Sequence, residues 1–288
     1  MGSGLSGQGA KIFYHYDLYR MNEGDDFASI GLEESLADSE AINAVEWADR
    51  LGGKIPKRCV LVYLSEAGSQ REIRIEFLSP TLLNEGSIES YYEEWATPAN
   101  VRRHCRMVTH VAMTVAEAYM RKGEIINTNL LYVSGMLHDM ARVCDFNHFD
   151  RADREPVSDE QWQKMLRIRE AHAGKRHAFI AHEQLMARGY AETAELIRLH
   201  EADLLGLEPR SYLTLESQIL YYADKRVKHD TIVDLAERFR DGRERYGAND
   251  DEKTKTLFAA IEQTTIELEK ELFRGLDIKP EDIQPIAF

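Results

Sequence analysis

The feature that most constrains the fold is the spacing of apolar residues in the second part of the chain. From Ser90 to about Arg240 they recur at steps of three and four residues, the spacing of one face of an α-helix. Segments such as ATPAN and RKGE interrupt the pattern and mark helix ends. We therefore expect an all-helical domain over residues 91–288, which closes with a further helix and a Pro-containing tail.

The front of the chain has the pattern of a small α/β domain over residues 12–80. KIFYHYDLYR and AINAVEW favour strands, the second of them buried, and DDFASIGLEESLAD favours a short helix between them. RCVLVYLSE and REIRIEFL favour two more strands, joined by the turn AGSQ. We interpret residues 81–90 as a linker, and the Gly- and Ser-rich residues 1–11 as a flexible lead-in or a remnant of cloning. The predicted fold class is mainly α.

Composition and charge exclude several classes of partner. The net charge of −14, from 50 acidic against 36 basic residues, disfavours long nucleic acid but allows a local basic pocket for one phosphorylated small molecule. The three cysteines are far apart and odd in number, which indicates a reducing compartment. No run approaches about 18 apolar residues and no signal peptide is evident, so we expect a cytoplasmic protein without a membrane partner.

Helical geometry separates the ten histidines into inward-facing and outward-facing ones. In the helix predicted to begin near Pro98, His104 lies within an apolar stripe that includes Val101 and Val108, whereas His110 lies on the polar face and is expected to meet solvent. Three more residues fall on the apolar faces of their helices: His138, His200 and Asp224.

Spacing alone does not fix the direction of two further side chains. Asp139 is rotated by roughly 100° from its neighbour His138, but both side chains can reach one ion near the helix edge. In KRHAFIAHEQL the spacing does not choose between His177 and His182.

The inward-facing carboxylates point to a metal. A single inward histidine is usually a hydrogen-bonded core residue, but an unpaired buried carboxylate costs several kcal/mol. A divalent cation would compensate, and imidazole with carboxylate ligands suits Fe, Mn, Co or Zn. Six such ligands favour two ions over one.

Five segments, in order, resemble the HD-domain superfamily of metal-dependent phosphohydrolases over about residues 98–240: RRHCRMVTHVA, GMLHDMAR, RHAFIAHEQLMARGY, IRLHEAD and ILYYADKRV. The resemblance favours His177 over His182 and implies a dinuclear centre in which Asp139 bridges both ions. The implied ligands are His104, His138, Asp139, His177, His200 and Asp224.

The resemblance also implies a reaction: hydrolysis of a phosphate ester or anhydride of a small nucleotide, of the nucleotidase or pyrophosphohydrolase type, by hydroxide that the ions make available. Asp139, Arg142 and Lys225 are then the expected catalytic residues. Five basic residues beside the ligands are candidates to hold the substrate phosphate: Arg142, Lys175, Arg176, Lys225 and Arg226.

Three alternatives remain open at this point. Some dinuclear HD proteins are oxygenases that use iron to oxidise their substrate. A phosphodiesterase acting on a cyclic nucleotide or RNA would use the same ligands. A non-catalytic, nucleotide-sensing partner of tRNA-modification machinery would bind nucleotide without turnover.

The front segment resembles the second half of the TsaE family, P-loop ATPases of the tRNA threonylcarbamoyladenosine pathway, over about residues 12–78. FYHYDLYR, IGLEESL, AVEWADRL, KIPKRCVLVYLS and REIRIEF carry the likeness. No Walker A loop precedes FYHYDLYR, and Asp49 stands where the family usually has Glu. We therefore expect an incomplete P-loop-like domain without ATPase activity, either cut from a longer fusion or kept as a docking module for proteins of that pathway.

Overall fold

The chain divides into two compact units, one up to Pro80 and one from Thr81 onward. The computed structural model describes residues 12–22, 24–38, 40–78, 83–201, 213–246 and 252–287. The lead-in predicted for residues 1–11 lies outside these ranges. No helix within them combines the length and apolar character needed to cross a lipid bilayer.

The front unit has the predicted α/β character. Strands β1 (Ile12–Asp17) and β2 (Ala41–Glu46) pair in parallel, and a 3₁₀ turn and helix α1 (Leu32–Ala37) connect them. The connection buries Phe27 and Leu32 beneath the sheet, as a parallel crossover requires. The prediction that β2 is buried is wrong, because each of its side chains is half-buried or exposed.

The second strand pair of the front unit is an antiparallel hairpin. Strand β3 (Cys59–Ala67) and strand β4 (Gln70–Leu78) pair along their whole length, as predicted. Gly68 in the turn has a φ of 64°, a left-handed value that glycine adopts without steric cost.

The second unit is helical, which confirms the predicted mainly α class. Its helices are α2 (Glu85–Glu94), α3 (Ala99–Arg121), α4 (Thr128–Leu137), α5 (Asp159–Ala171), α6 (His177–Ala187), α7 (Ala191–Leu199), α8 (Leu215–Lys225), α9 (Leu235–Tyr246) and α10 (Glu252–Leu272). A short hairpin of β5 (Val227–Lys228) and β6 (Thr231–Ile232) follows α8 and was not predicted.

The predicted linker over residues 81–90 is too long. Helix α2 begins at Glu85, where the Asn84 side chain caps it by accepting from the Ser87 amide. Ile88 and Tyr92 of this helix are buried in the core of the helical unit. Asn84 therefore marks a helix start within the segment, and Gly86 lies in the first turn of that helix, so neither residue keeps the chain extended.

Helices α3 and α4 pack closely, and this contact places the first histidines. A Cβ on Gly135 would lie 2.6 Å from Oγ1 of Thr109, so only glycine permits this approach. Val108 and Leu137 are fully buried at either side of the same contact. His104, one turn before Val108, and His138, one turn after Gly135, have ring centroids 5.3 Å apart.

Candidate metal centre

His138 directs one ring nitrogen into the protein interior. It follows the last residue of α4 and is fully buried. Its Nδ1 donates to the carbonyl of Gly135 at 2.8 Å, which leaves the lone pair on Nε2. That Nε2 is buried and has no hydrogen-bond partner within the described part of the chain, an arrangement that favours a ligand such as a metal ion.

Two other histidines are fixed by backbone carbonyls in the same way. Nδ1 of His104 donates to the carbonyl of His229 at 2.7 Å, and Nδ1 of His200 donates to Ile197 at 2.5 Å. His229 lies in the turn of the β5–β6 hairpin with a φ of 59°, which is uncommon outside glycine and brings its carbonyl to His104. In each case the tautomer leaves Nε2 available as a metal ligand.

His177 is fixed by a carboxylate instead. Its Nδ1 lies 2.7 Å from Oδ2 of Asp145, and because a carboxylate only accepts, the imidazole donates. The same oxygen accepts from the His177 backbone amide at 3.0 Å. This carboxylate–histidine arrangement is typical of metal ligands and directs Nε2 of His177 to within 2.9 Å of Asp139 Oδ1.

Asp139 lies between two groups of donors. Its Oδ2 faces Nε2 of His104 at 4.0 Å, while its Oδ1 faces Nε2 of His177 at 2.9 Å and Nε2 of His200 at 3.7 Å. The donor atoms of His104, His138 and Asp139 lie within 4.8 Å of one another, and so do those of Asp139, His177 and His200. Asp139 therefore belongs to both groups.

Asp224 completes the first group. Its Oδ1 lies 3.1 Å from Nε2 of His104 and 3.7 Å from Nε2 of His138. The structure thus brings together all six residues that the sequence singled out, drawn from five separate helical segments. Four imidazole nitrogens and two carboxylates form a donor set that fits divalent transition metals.

Neighbouring charged groups lower the pKa values of both carboxylates of the centre. Burial works to raise the pKa of Asp139, but the imidazoles of His177 and His138 hold this pKa well below its usual range. Burial likewise opposes ionisation of Asp224, and the Lys225 ammonium and His104 hold its pKa well below normal. Both carboxylates are therefore ionised and attract a cation.

His177 and His200, the two histidines of the second group, differ in protonation state. Burial works to lower the pKa of His177, but Asp139 and Asp145 outweigh it and raise this pKa to about 9. Burial lowers the pKa of His200 to about 4, so this imidazole is neutral at physiological pH. A cation bound beside His177 would displace its proton, because a ligating imidazole must be neutral.

Three of the predicted phosphate-binding residues line a cavity of about 600 Å³ beside these donors. The guanidinium of Arg142 lies 3.1 Å from Asp145 Oδ1 and 3.9 Å from Asp139 Oδ2. Arg176 forms an ion pair at 2.5 Å with the buried Glu201. Nζ of Lys225 donates at 2.5 Å to Oδ2 of Asp224, so this lysine supports a carboxylate of the centre.

The structure does not bring the other two predicted basic residues to the cavity. Lys175 is exposed and forms an ion pair with Glu183 at 2.9 Å. Arg226 is buried, donating to the Val233 carbonyl at 2.7 Å and to the Tyr222 hydroxyl at 2.5 Å. The Arg226 guanidinium also donates to the Pro280 carbonyl, so the structure places it in the packing between α8 and the residues after α10, and it does not line the cavity.

His110 and His182 both lie away from the centre. His110 is half-buried and donates from Nε2 to the Gln284 carbonyl at 2.8 Å, so the expectation that it meets open solvent is corrected. His182 pairs with Glu195 at 2.9 Å, away from the cavity.

Sequence reasoning missed several residues of the site. Asp145 lies at the end of a 3₁₀ turn six residues after Asp139, and its apolar neighbours Val143 and Cys144 were the available signal for burial. Other residues lining the cavity were also not predicted: Asn100, Phe146, His148, Glu201, Lys228, His229, Arg238 and Glu244.

A helical domain in which histidines and aspartates surround one shared carboxylate is typical of metal-dependent enzymes. Comparison with known proteins identifies the family. The model of the HD domain matches residues 101–227, and that of the threonylcarbamoyl adenosine biosynthesis protein TsaE matches residues 6–73. An uncharacterized protein of Methanocaldococcus jannaschii is 30% identical over 147 residues, covering 48% of this chain and 76% of that protein. No solved structure matches the chain.

The chain therefore belongs to the HD-domain superfamily of metal-dependent phosphohydrolases and carries a TsaE region ahead of its HD domain. Both resemblances noted in the sequence are confirmed, in the predicted order. Membership of this superfamily implies a divalent metal, in agreement with the donor groups around Asp139.

Proposed function

We propose that the helical unit hydrolyses a phosphate ester or anhydride of a small nucleotide at a centre of two divalent ions. The observation that supports this most strongly is the position of Asp139, whose two oxygens face two separate groups of histidines. A carboxylate shared in this way is suited to hold two cations close together.

The residues that would hold the ions follow from these two groups. His104, His138 and Asp224 would bind one ion together with Asp139, and His177 and His200 would bind the other together with the same carboxylate. Fe, Mn or Co suit this nitrogen and oxygen set, and Zn is also compatible. When bound, the ions lower the pKa of a water molecule and screen the charge that develops on phosphorus.

The remaining residues orient and balance the charge of this centre. The Lys225 ammonium offsets the charge of Asp224 and fixes its carboxylate. Asp145 holds the His177 ring, and Arg142 is bonded to Asp145 from the cavity side. We propose that Arg142, together with Arg176, binds oxygens of the phosphoryl group that enters the cavity.

The size and charge of the cavity favour a small nucleotide. About 600 Å³ exceeds what orthophosphate alone needs and lies within the range of about 300–1,000 Å³ of small-molecule sites. The net charge of −14 disfavours a polymeric nucleic acid. For the TsaE region we propose contact with proteins of the threonylcarbamoyladenosine pathway.

The experiment that tests this function is phosphate release. The protein is stripped with a chelator, reloaded separately with Mn, Fe or Co, and assayed on a panel of nucleoside mono-, di- and triphosphates, with cyclic nucleotides and an oligonucleotide as comparison substrates. We expect metal-dependent release from at least one nucleotide, at the same rate with and without O₂. Loss of activity under anaerobic conditions would indicate an oxygenase, and tight nucleotide binding without turnover in the loaded protein would contradict catalysis.

A further inference from the structure

Arg238 stands apart from the other basic residues of the cavity. Its side chain lines the cavity from helix α9, and its Nε is buried and has no hydrogen-bond partner among the residues that the structure describes. No carboxylate in the described ranges forms an ion pair with its guanidinium. Burying a donor of a charged group without an acceptor is costly, so an acceptor from a ligand would lower the free energy of this side chain.

The other four cations of the cavity already have acidic partners. Arg142 is bonded to Asp145, Arg176 to Glu201, Lys225 to Asp224 and Lys228 to Glu237. Each of these pairs offsets the charge of a protein carboxylate. Arg238 is therefore the lining cation whose positive charge is most available to an anion from solution.

The position of Arg238 is fixed by packing on both sides. Its neighbours Leu235 and Phe239 are buried in the main core. Gly242, one turn further along α9, allows close contact with α10, since a Cβ there would lie 3.0 Å from the Phe258 ring. The helix therefore holds Arg238 at the cavity wall.

The origin of this residue differs from that of the metal-facing residues. All six of those lie within residues 101–227, the range matched by the HD domain, whereas Arg238 follows that range. The cavity is thus lined by residues of the range that the HD-domain model matches and also by Arg238 and Glu244 of helix α9, which lies beyond that range.

We infer that Arg238 binds a second anionic group of the substrate, distinct from the phosphoryl group that meets the metal centre. This rests on the proposed function and narrows its substrate class to molecules with at least two phosphates, such as nucleoside di- and triphosphates. The planar guanidinium donates two parallel hydrogen bonds to phosphate oxygens. Of the two carboxylates that line the cavity beyond the metal-facing ones, Glu201 is paired with Arg176 and Glu244 is exposed.

Calorimetric titration of the metal-loaded protein with inorganic pyrophosphate and with orthophosphate tests the inference. Wild-type protein is expected to bind pyrophosphate at least tenfold more tightly than orthophosphate. Arg238→Gln should lose that difference while keeping its orthophosphate affinity, and Arg238→Lys should retain part of it. Arg240→Gln, on the exposed side of the same helix, is the matched control and should behave as wild type.

These binding measurements test the role of Arg238 independently of nucleotide hydrolysis. Metal content measured after each titration, together with circular dichroism, verifies that the variants are folded and loaded. Equal wild-type affinity for the two anions, an unchanged pyrophosphate affinity in Arg238→Gln, or an equal loss for both anions would each overturn the inference, even if nucleotide hydrolysis is observed. The expected pattern would support it even in a protein that hydrolyses none of the nucleotides tested, because binding requires no turnover.

Discussion

Asp145 accepts a hydrogen bond from Nδ1 of His177 at 2.7 Å and thereby directs the other ring nitrogen of His177 toward Asp139. The two residues come from different segments, the 3₁₀ turn after α4 and the first turn of α6. This contact links the position of α6 to the geometry of the metal centre. It also explains why His177, and not His182 of the same helix, faces the centre.

Replacing Asp145 should weaken metal binding without unfolding the protein. Asp145→Asn keeps the shape but removes the charge that fixes the His177 tautomer, and loss of such a supporting carboxylate typically costs about 10–100-fold in metal affinity. Competition for the metal with a coloured chelator measures this affinity. Asp277→Asn, which removes an exposed carboxylate paired with Arg121, is the control and should leave metal affinity unchanged. Equal affinities in the two variants would refute the role of Asp145.

Replacing Asp139, the carboxylate that both groups share, should cause a larger loss of bound metal than replacing Asp145. Asp139→Ala removes a donor from both groups at once, so metal content and phosphate release should both fall to background. His110→Ala should keep both, and should lower the free energy of unfolding by only about 1 kcal/mol, since it loses one hydrogen bond to Gln284. Metal analysis and an assay of the two variants provide the comparison. If His110→Ala proved as damaging as His104→Ala, the assignment of helix faces would be wrong.

The stability of the metal-free protein should depend on pH through His177. The pKa of this imidazole is raised from 6.5 to about 9 in the folded protein, so its contribution is complete below pH 6.5 and is lost as the pH rises through about 9. Thermal denaturation of chelator-treated protein between these pH values should show a falling Tm. Burial works against protonation, but Asp224 also raises the pKa of His104, and Cys105 and Asp139 raise that of His138, so these two imidazoles add to the slope. His177→Gln should therefore reduce the slope and leave the remainder from His104 and His138, whereas a slope equal to that of the wild type would assign the effect to groups other than His177.

Lys225 should matter for stability as well as for activity. Lys225→Met leaves Asp224 buried without its ammonium partner, and breaking a buried pair in this way costs about 3–5 kcal/mol. Urea denaturation of the metal-free protein measures this loss. Lys175→Met removes an exposed pair with Glu183 and should change the free energy of unfolding by less than about 1 kcal/mol. Similar values for the two variants would contradict the supporting role of Lys225.

Spacing in the sequence could predict that these histidines and aspartates converge, because most of them lie on helices whose apolar faces are periodic. His104, His138 and Asp224 each fall on such a face, and the structure brings them together. The choice of His177 came from the family resemblance alone, since its reason is the contact with Asp145 across the chain. A contact of that kind leaves no periodic signal.

Spacing along the chain was insufficient to predict which basic side chains line the cavity. Arg226 lies two residues after Asp224, a rotation of roughly 200°, and therefore points into the packing against the C-terminal segment. Arg238 is far from every metal-facing residue in the sequence and reaches the cavity only because α9 folds back on the core. The order of the helices could be predicted, whereas which charged side chains meet required the tertiary structure.

Metal stoichiometry measured together with electron paramagnetic resonance tests the central claim most directly. Protein stripped with a chelator, reloaded with Mn(II) at pH 8 and freed of excess ion should retain two ions per chain and show the spectrum of a spin-coupled pair. Asp139→Ala should lose the coupled signal. A wild-type chain that retained no manganese, or one ion whose signal survived in Asp139→Ala, would contradict a centre built around that carboxylate.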